Sequence, residues 1–254
     1  MVQLALEHDC RSIAYTYNEP TIFWPYARDI SVLAKQKGLR NLFVTNGLES
    51  PEVIEDMVGL IDAANVDLKS WDEEYYKKTL KGSLEGVKQT LRLMKARGIW
   101  VEVTTLVIPG HNDDEGTLRE IADFLVSVDP DIPWHLSRFG PRYKLLDAPP
   151  TPVETLHRAA EIGYAAGVRY VYAGNVPGDL MYVEDGMAAL CDLFTDASGA
   201  LIFGDARVDP AFAACPATSA TEAAGIFAMP ATLSSSANSP LMHGSRRRPA
   251  APGG

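Results

Sequence analysis

The chain contains 254 residues, and its 46% hydrophobic and 22% charged content is that of an ordinary globular protein. The formal net charge of −10 argues against a nucleic-acid or membrane partner, and no apolar run approaches the roughly 20 residues of a membrane-spanning helix. Because the N-terminus also lacks the basic and apolar parts of a secretory signal, we expect a cytoplasmic location.

The cysteine content argues against a disulfide-stabilised protein. Cys10, Cys191 and Cys215 are few and lie far apart in the sequence. A disulfide framework needs a dense, even set, and a local metal knuckle needs two cysteines within a few residues. We therefore expect no metal ligands in this chain and interpret all three cysteines as ordinary core or surface residues.

Apolar, β-rich segments alternate with helical segments through residues 1–177. The first predicted strand, 12–17, precedes a predicted helix at 21–37 with one apolar stripe, formed by Ile22, Tyr26, Ile30 and Leu33. Ser50-Pro51 has the pattern of a helix start, and Lys81-Gly82-Ser83 should interrupt the helical segment 71–97. The remaining predicted strands are 41–45, 64–68, 100–108, 132–136 and 169–173, and the remaining predicted helices are 113–128 and 151–167.

This alternation predicts an α/β fold with a parallel sheet and right-handed crossovers. A partial barrel and an open doubly wound sheet both accommodate six strands. We favour a partial (β/α)6, TIM-like barrel, because polar residues recur at strand ends along the whole segment rather than at one switch point.

The composition changes after residue 177. Residues 178–208 form an extension in which 187–203 has the pattern of a helix and a short strand. Residues 209–254 are rich in Ala, Ser, Pro and Thr, which bury too little apolar surface to offset the entropy of ordering. We therefore expect a low-complexity, disordered C-terminal tail.

Polar residues stand at the ends of the predicted strands. Glu19 follows the first strand, Asn46 follows the second, Asp67 and Lys69 follow the third, and His135 lies in the fifth. The carboxyl ends of the strands in a parallel barrel share one face, which carries the active site. We therefore expect these side chains to form one ligand-binding pocket.

Each of these residues also has a purely structural interpretation. Glu19 could stabilise a helix N-terminus, and Asp67 and Lys69 could form a surface ion pair. A single His in an apolar strand, such as His135, could be a satisfied core residue.

Two further polar groups lie near the later strand ends. Arg138 could bind an anion or pair with an acid. Asn112 and Asp113 follow Pro109-Gly110, and this pattern favours a turn with a helix N-cap over a ligand contact.

Five segments resemble the radical S-adenosylmethionine (SAM) enzymes. They read SIAYTYNEPT at 12–21, VTNG at 44–47, ANVDLK at 64–69, EVTTLVIPG at 102–110 followed by Asn112-Asp113, and PWHLSRF at 133–139. The chain resembles in particular the radical SAM protein of the AmmeMemoRadiSam system, a group similar to pyruvate formate-lyase activating enzyme.

The resemblance implies a partial barrel that binds SAM and a [4Fe-4S] cluster. In such enzymes the reduced cluster cleaves SAM to methionine and a 5′-deoxyadenosyl radical, which abstracts hydrogen from a substrate. The substrate here is an unknown protein or small molecule, and the implied electron donor is a protein such as flavodoxin or ferredoxin. The implied SAM-binding residues are Tyr17, Asn18 and Glu19 at the amino group, Asp67 and Lys69 at the methionine end, Thr45 and Asn46 beside them, and His135 near SAM.

Departures from the family bear on activity. The Cys-x3-Cys-x2-Cys loop that holds the cluster is absent from this chain, which begins in what corresponds to the helix after that loop. We therefore expect a barrel lacking its first strand, an N-terminally truncated reading frame with a frameshifted tail, and a chain that is inactive alone. Gly140 also stands where relatives often carry His, and Val44 stands where activating enzymes carry Asp.

Two other functions remain open from the sequence. A lyase of the same barrel class could use Lys69 as a Schiff-base amine. The chain could also be a non-catalytic binding or scaffold protein. Because the matching residues serve the cofactor, the sequence does not identify a substrate.

Overall fold

A computed structural model describes residues 1–176 and two further strands of two residues each. Apart from those two strands, the predicted extension at 178–208 and the predicted disordered tail at 209–254 lie outside the described residues. The strands are β1 (Ser12–Tyr15), β2 (Arg40–Thr45), β3 (Ala63–Asp67), β4 (Trp100–Val107), β5 (Trp134–Arg138), β6 (Val171–Gly174), β7 (Ile202–Phe203) and β8 (Ala206–Arg207). The helices are α1 (Val2–Glu7), α2 (Trp24–Gln36), α3 (Pro51–Met57), α4 (Glu73–Tyr75), α5 (Leu84–Ala96), α6 (Glu115–Val128) and α7 (Val153–Ala166), with a 3-10 turn at Pro20–Phe23 and a π-helical turn at Tyr76–Leu80.

Strands β1 to β6 form one parallel sheet in chain order. Helical segments connect consecutive strands, as parallel neighbours require. All six strands predicted from the sequence are present, so the predicted α/β class and parallel topology are confirmed. Within the described residues the sheet is open, with β1 and β6 at its edges, which is compatible with the predicted partial barrel.

The sheet has one apolar face and one polar face. Along β4, Val101, Val103 and Val107 are buried, whereas Glu102 and Thr104 lie on the opposite, partly exposed face. This separation follows from the alternation of side chains along a strand. The buried valines pack in one hydrophobic core with residues of the surrounding helices. The other face, which we call the polar face, retains side chains that a ligand can reach.

The buried side of α2 differs from the predicted apolar stripe. Ile30 is buried as expected, but Ile22 is 83% exposed, Tyr26 is 63% exposed, and Leu33 is exposed as well. The buried residues of α2 are Trp24, Ala27, Ile30, Ser31 and Ala34. The small side chains in this set let the helix approach the sheet closely, and the preceding 3-10 turn shifts the periodicity. The predicted stripe was wrong because it was chosen from the large apolar residues, whereas the helix face that packs on the sheet consists largely of small ones.

Two predicted helix boundaries are confirmed. Ser50 caps α3 by accepting a hydrogen bond from the Val53 N–H, and Pro51 occupies the first helical position. Lys81 has a left-handed φ of 58° and ends the π-helical turn, and Ser83 then caps α5. Among the helices of residues 1–176, none has both the length and the apolar character needed to span a bilayer.

Asp62 ties the amino-terminal ends of β2 and β3 to α2. Its carboxylate accepts hydrogen bonds from Lys35 Nζ at 2.7 Å, from the Arg40 guanidinium at 2.9 Å and from the Asn41 N–H at 2.8 Å. Burial raises the pKa of Asp62, but these donors outweigh it and the net pKa shift is downward. Asp62 therefore stabilises the fold above the ordinary aspartate pKa of about 3.9, and this contribution is lost as the pH falls through the folded-state pKa.

We expect Asp62→Asn to lower the free energy of unfolding at pH 7 by about 1–3 kcal/mol, because the variant removes the charged acceptor of a partly buried network. The difference from the unsubstituted chain should shrink as the pH falls below about 4. Chemical denaturation at several pH values measures this difference, with Asp123→Asn on the exposed side of α6 as the control. A destabilisation that stays constant with pH would contradict this role.

Candidate functional site

Five of the predicted site residues meet at the carboxyl ends of β1, β2 and β3. Glu19, Thr45, Asn46, Asp67 and Lys69 form one hydrogen-bonded group, which we call the rim cluster. Glu19 follows β1, Thr45 ends β2, and Asp67 ends β3. Parallel pairing places these three strand ends side by side. The structure therefore shows the common location that the sequence predicts for these residues.

Glu19 is the acceptor that holds the rim cluster together. Its Oε1 accepts hydrogen bonds from the Thr21 N–H at 3.1 Å, the Thr21 hydroxyl at 2.7 Å and the Thr45 hydroxyl at 3.0 Å. Its Oε2 accepts from the N–H and the side-chain amide of Asn46 at 2.7 and 2.8 Å. The bond from the Thr21 N–H also makes Glu19 the N-cap of the 3-10 turn. Glu19 therefore caps a helical turn, which is its structural interpretation, and also lies in the predicted pocket at the strand ends.

Asn46 links two opposite charges. Its Nδ2 donates to Glu19 Oε2 at 2.8 Å, and its Oδ1 accepts from Lys69 Nζ at 2.5 Å. Lys69 Nζ also lies 2.8 Å from Asp67 Oδ2, so two of the three ammonium donors have partners among the described residues. The side chains of Lys69 and Asp67 are 30% and 36% exposed, so a ligand can reach both.

The backbone of Lys69 is held from two sides by residues that the sequence analysis did not place in the site. Its N–H donates to Tyr76 Oη at 2.9 Å, and its carbonyl accepts from Asn112 Nδ2 at 2.7 Å. Burial raises the pKa of Tyr76 to about 12, so the hydroxyl stays protonated at neutral pH. Asn112 is buried and bonds to two further backbone groups near the end of β4. The predicted N-cap role of Asn112 and Asp113 was wrong, because Asp114 caps α6.

Glu49 lies beside Glu19, although the sequence analysis did not single it out. Its Oε1 contacts the hydroxyls of Thr21, at 3.1 Å, and of Thr45. Glu49 is 6% exposed, and its Oε2 is buried with no hydrogen-bond partner within residues 1–176. Burial raises the pKa of Glu49 and the charge of Glu19 adds to this, while hydrogen bonds from the threonines oppose it. The rim therefore contains two carboxyl groups in contrasting environments.

Tyr17 and Asn18 flank Glu19 but do not enter the rim cluster. Both residues are exposed, and within the described part of the chain neither side chain hydrogen-bonds to the cluster. Their predicted contact with a cofactor therefore stays a prediction.

His135 lies on the polar face, apart from the rim cluster. Its Nε2 is 2.8 Å from Glu102 Oε2, and its ring stacks on Tyr172 with the ring centroids 5.2 Å apart. In the strand register Asp67 lies opposite Thr104, and Thr104 lies opposite His135. Asp67 and His135 are therefore two strand spacings apart, which is about 10 Å. Because His135 is partly exposed, the core interpretation does not apply, and a ligand touching both residues must cross β4.

Arg138 has a different partner from the two that the sequence suggested. Its Nε donates to the backbone carbonyl of Thr151 at 2.7 Å, and the Thr151 hydroxyl donates in turn to the carbonyl of Val107. Arg138 therefore contributes to the connection that leads into α7, and it forms no ion pair with an acid of residues 1–176.

The described residues do not fit a [4Fe-4S] cluster. Iron–sulfur clusters are held by cysteine thiolates, and the family motif provides three of them in one loop. Cys10 is the single cysteine of residues 1–176, and it lies exposed between α1 and β1. In that part of the chain no three His, Cys, Asp or Glu side chains are grouped closely enough to hold a metal ion. We therefore derive no reaction step through a cluster from these residues.

A shallow pocket of about 270 Å³ opens beside the rim cluster. Its lining residues are Glu19, Thr21, Ile22, Asn46 and Leu48. The pocket combines an anionic acceptor with apolar walls, and Lys69 is one hydrogen bond away through Asn46. An amino acid carries an ammonium and a carboxylate close together, so these residues fit the amino-acid end of a ligand such as SAM.

We expect Asn112→Ala to lower the free energy of unfolding by about 1–3 kcal/mol, because it leaves buried backbone groups of the Lys69 and β4 segments without partners. Chemical denaturation measures the loss. Gln3→Ala is the control, because it removes one exposed hydrogen bond, to Glu7. Equal losses in the two variants would show that Asn112 is not a structural brace.

Comparisons with known proteins find one matching family profile and two related sequences. The sequence profile of the Radical SAM superfamily matches residues 1–125. An uncharacterized protein of Methanocaldococcus jannaschii is 42% identical over 179 residues, which are 70% of this chain and 53% of that protein. The benzylsuccinate synthase activating enzyme of Thauera aromatica is 26% identical over 108 residues, which are 42% of this chain and 33% of that enzyme. The chain thus spans about half of the first relative and a third of the second.

Solved structures share the fold. A domain of pyruvate-formate lyase-activating enzyme from Bacteroides vulgatus superposes with a TM-score of 0.57 and 20% identity, over 65% of this chain and 99% of that domain. SuiB of Streptococcus suis, solved with S-adenosylmethionine bound, superposes with a TM-score of 0.55 and 12% identity, over 78% of this chain and 44% of SuiB. The narrower AmmeMemoRadiSam assignment is not tested and stays a prediction. The profile match shows a radical SAM domain at residues 1–125, and the solved structures share the fold of this chain.

Proposed function

We propose that this chain is the SAM-binding core of a radical SAM enzyme and that the rim cluster binds the amino-acid end of SAM. The observation that carries the proposal is the Asn46 bridge between the Glu19 carboxylate and the Lys69 ammonium. The bridge places an anion and a cation one side chain apart, which complements the two charges of an amino acid. The match of residues 1–125 to the radical SAM profile supports SAM as the ligand.

Glu19 is suited to accept the ammonium group of SAM. Two backbone N–H groups, those of Thr21 and Asn46, hold its carboxylate, so its orientation does not depend on flexible side chains alone. The same carboxylate borders the pocket whose apolar walls are Ile22 and Leu48. A carboxylate that is ordered before binding loses less conformational entropy when the ligand arrives.

Lys69 is suited to bind the carboxylate of SAM. Asn46 and Asp67 engage two of its three ammonium donors, and the third is available to a ligand. Tyr76 and Asn112 hold the backbone of Lys69 in place. The charge of Lys69 is therefore positioned by buried neighbours although its amino group is accessible.

The polar face is the proposed site of the nucleoside part of SAM. The nucleoside extends from the amino-acid end and must cross β4 to reach His135, about 10 Å from Asp67. Glu102 orients the His135 imidazole by contacting Nε2, which leaves Nδ1 as the ring nitrogen for a ligand contact. This arrangement supports His135 as a SAM-adjacent residue.

The radical chemistry of the superfamily requires a reduced iron–sulfur cluster, which supplies the electron for SAM cleavage. The three cysteines of this chain do not have the Cys-x3-Cys-x2-Cys spacing of the family loop, so we propose that the chain alone binds SAM without cleaving it. We also propose that the substrate that gives up hydrogen is a protein or a small molecule. The electron would come from a protein such as flavodoxin or ferredoxin. The net charge of −10 argues against a nucleic-acid partner, and a cytoplasmic setting is part of the proposal.

The lyase alternative has less support. A Schiff-base lysine attacks a carbonyl with a free amine. Lys69 Nζ is instead engaged by Asp67 Oδ2 at 2.8 Å and by Asn46 Oδ1 at 2.5 Å. The ion pair favours a charge-recognition role for Lys69 over a nucleophilic one.

We expect SAM to bind the unsubstituted chain and to bind Glu19→Gln and Lys69→Met about tenfold or more weakly, because each variant removes one charge that the amino-acid end needs. Isothermal titration calorimetry measures the affinities, with Glu120→Gln on the exposed side of α6 as the control. Binding of 5′-methylthioadenosine, which lacks the amino and carboxylate groups, should change little in either variant. Equal losses for both ligands would contradict the assignment, and no SAM binding by any form would favour the scaffold interpretation.

We expect no methionine or 5′-deoxyadenosine after the chain is incubated with iron, sulfide, SAM and a strong reductant, because three adjacent thiolates are lacking. Chromatography of the products measures the outcome. A radical SAM enzyme that contains its own cysteine loop, treated in parallel, is the positive control. Cleavage of SAM by this chain alone would overturn the proposal that it is inactive without further residues.

A further inference from the structure

Four oxygen atoms at the rim form a closed ring of short contacts. They are Oε1 of Glu19, Oε1 of Glu49 and the hydroxyl oxygens of Thr21 and Thr45. Thr21 Oγ1 lies 2.7 Å from Glu19 and 3.1 Å from Glu49. Thr45 Oγ1 lies 3.0 Å from Glu19 and also contacts Glu49. Each hydroxyl is therefore within hydrogen-bond distance of both carboxyl groups.

The number of protons in this ring is too small if both carboxyl groups are ionised. Each threonine hydroxyl donates one proton, and an ionised carboxylate only accepts. Two protons would then serve four oxygen–oxygen contacts, and the other two contacts would bring lone pairs together. The Gly47 N–H does not correct this, because it donates to Thr45 Oγ1 from outside the ring. One additional proton on a carboxyl oxygen supplies a third hydrogen bond.

The surroundings show which carboxyl group carries the additional proton. Glu19 accepts from the N–H groups of Thr21 and Asn46 and from the Asn46 amide, and these donors stabilise a negative charge. Glu49 is 6% exposed, and among the described residues nothing donates to its buried Oε2. A negative charge on Glu49 would be buried with half of its acceptor capacity unused, which is costly.

We propose that Glu49 is held in the folded protein as a neutral carboxylic acid, at pH values where an ordinary glutamate is ionised, and that its proton supplies a third hydrogen bond to the hydroxyl ring that orients Glu19. Glu49 is then a positioning residue. Its role in ligand binding rests on the proposed function, because it acts through the carboxylate that we assign to the ammonium of SAM. Its protonation does not depend on that assignment.

A neutral Glu49 also balances the charge of the site. Glu19 and Asp67 are anionic and Lys69 is cationic, so the rim carries one net negative charge when Glu49 is protonated. SAM carries a sulfonium, an ammonium and a carboxylate, which leaves one net positive charge. An ionised Glu49 would bring a second, buried negative charge within contact of the hydroxyls that hold Glu19.

The charged group that faces Glu49 is Glu19, on the segment after β1. From β2 and the 3-10 turn the facing groups are the neutral hydroxyls of Thr45 and Thr21, and from α5 the hydroxyl of Thr90 bonds to the Glu49 carbonyl. Burial is the largest effect and raises the pKa of Glu49, hydrogen bonds from Thr45, from the Glu49 backbone and from Thr21 lower it, and the repulsion from Glu19 raises it again, so the net shift is upward. No cation contacts Glu49 within residues 1–176 to offset these effects.

The pH dependence of stability has a definite sign. The folded state keeps a proton on Glu49 above the ordinary glutamate pKa of about 4.3, where the unfolded chain has released it. The folded state therefore binds more protons than the unfolded state in this range, and stability falls as the pH rises through it. Glu49→Gln keeps a neutral donor and acceptor of the same shape and has no proton to lose.

The first experiment compares the unfolding equilibria of the 254-residue chain and of Glu49→Gln between pH 5 and pH 8. We expect the stability of Glu49→Gln relative to the unsubstituted chain to increase with pH, by more than any change seen in the exposed control Glu120→Gln. Other titrating groups are shared by the two proteins, so their effects cancel in the difference. A difference that does not vary with pH would overturn the proposal.

The second experiment measures SAM binding by calorimetry for Glu49→Gln and Glu49→Leu. Leucine removes both the donor and the acceptor from the ring, so we expect an affinity about tenfold weaker, and glutamine should restore most of it. Equal affinities in the two variants would show that Glu49 only fills space. If the unsubstituted chain does not bind SAM, the proposed function fails, whereas the pH dependence of Glu49→Gln still decides the protonation of Glu49. If the leucine variant does not fold, the glutamine comparison across pH remains decisive.

Discussion

The parallel pairing of β1, β2 and β3 is the constraint on which the candidate site depends. In this register Tyr15 lies opposite Phe43, and Phe43 lies opposite Ala64, so β2 extends two residues and β3 three residues beyond the end of β1. Glu19 reaches the same edge from the segment that follows β1. Neighbouring strands are about 4.8 Å apart, a distance that one asparagine side chain can bridge. Asn46 does this between the segments that follow β1 and β3. The sheet therefore sets the spacing of the charges before any ligand is present.

The site combines two carboxyl groups whose environments differ. Glu19 accepts hydrogen bonds from backbone N–H groups and borders a pocket, and these conditions favour a negative charge that a cation can reach. Glu49 is buried behind it, where a negative charge is unfavourable. Different environments around neighbouring carboxyl groups commonly give them different protonation states and different tasks. Here the difference assigns ligand contact to Glu19 and orientation to Glu49.

The rim residues that the sequence predicts share one property. Each lies at or just after the end of an apolar run that can be identified as a strand from the sequence. Glu19, Asn46 and Lys69 were found in this way. Asn112 was placed at a helix cap because its local pattern resembles one, but its main partner is the Lys69 carbonyl, 43 residues away in sequence. No local sequence pattern marks Glu49 as a site residue. Only the folded structure shows that it contacts Thr21, 28 residues away in sequence.

The sequence by itself determined the parallel α/β class and the six strands, because side-chain periodicity is a local property of the chain. Its strand-end motifs are local as well, and they carry the resemblance to the radical SAM enzymes. The tertiary structure alone decided which face of α2 is buried, which acid is neutral and which groups hold Lys69. Those properties depend on burial and on hydrogen bonds between residues far apart in sequence. Leu33 and Ala34 are neighbours in α2, and the larger one is exposed and the smaller one buried because they lie on different faces of the helix.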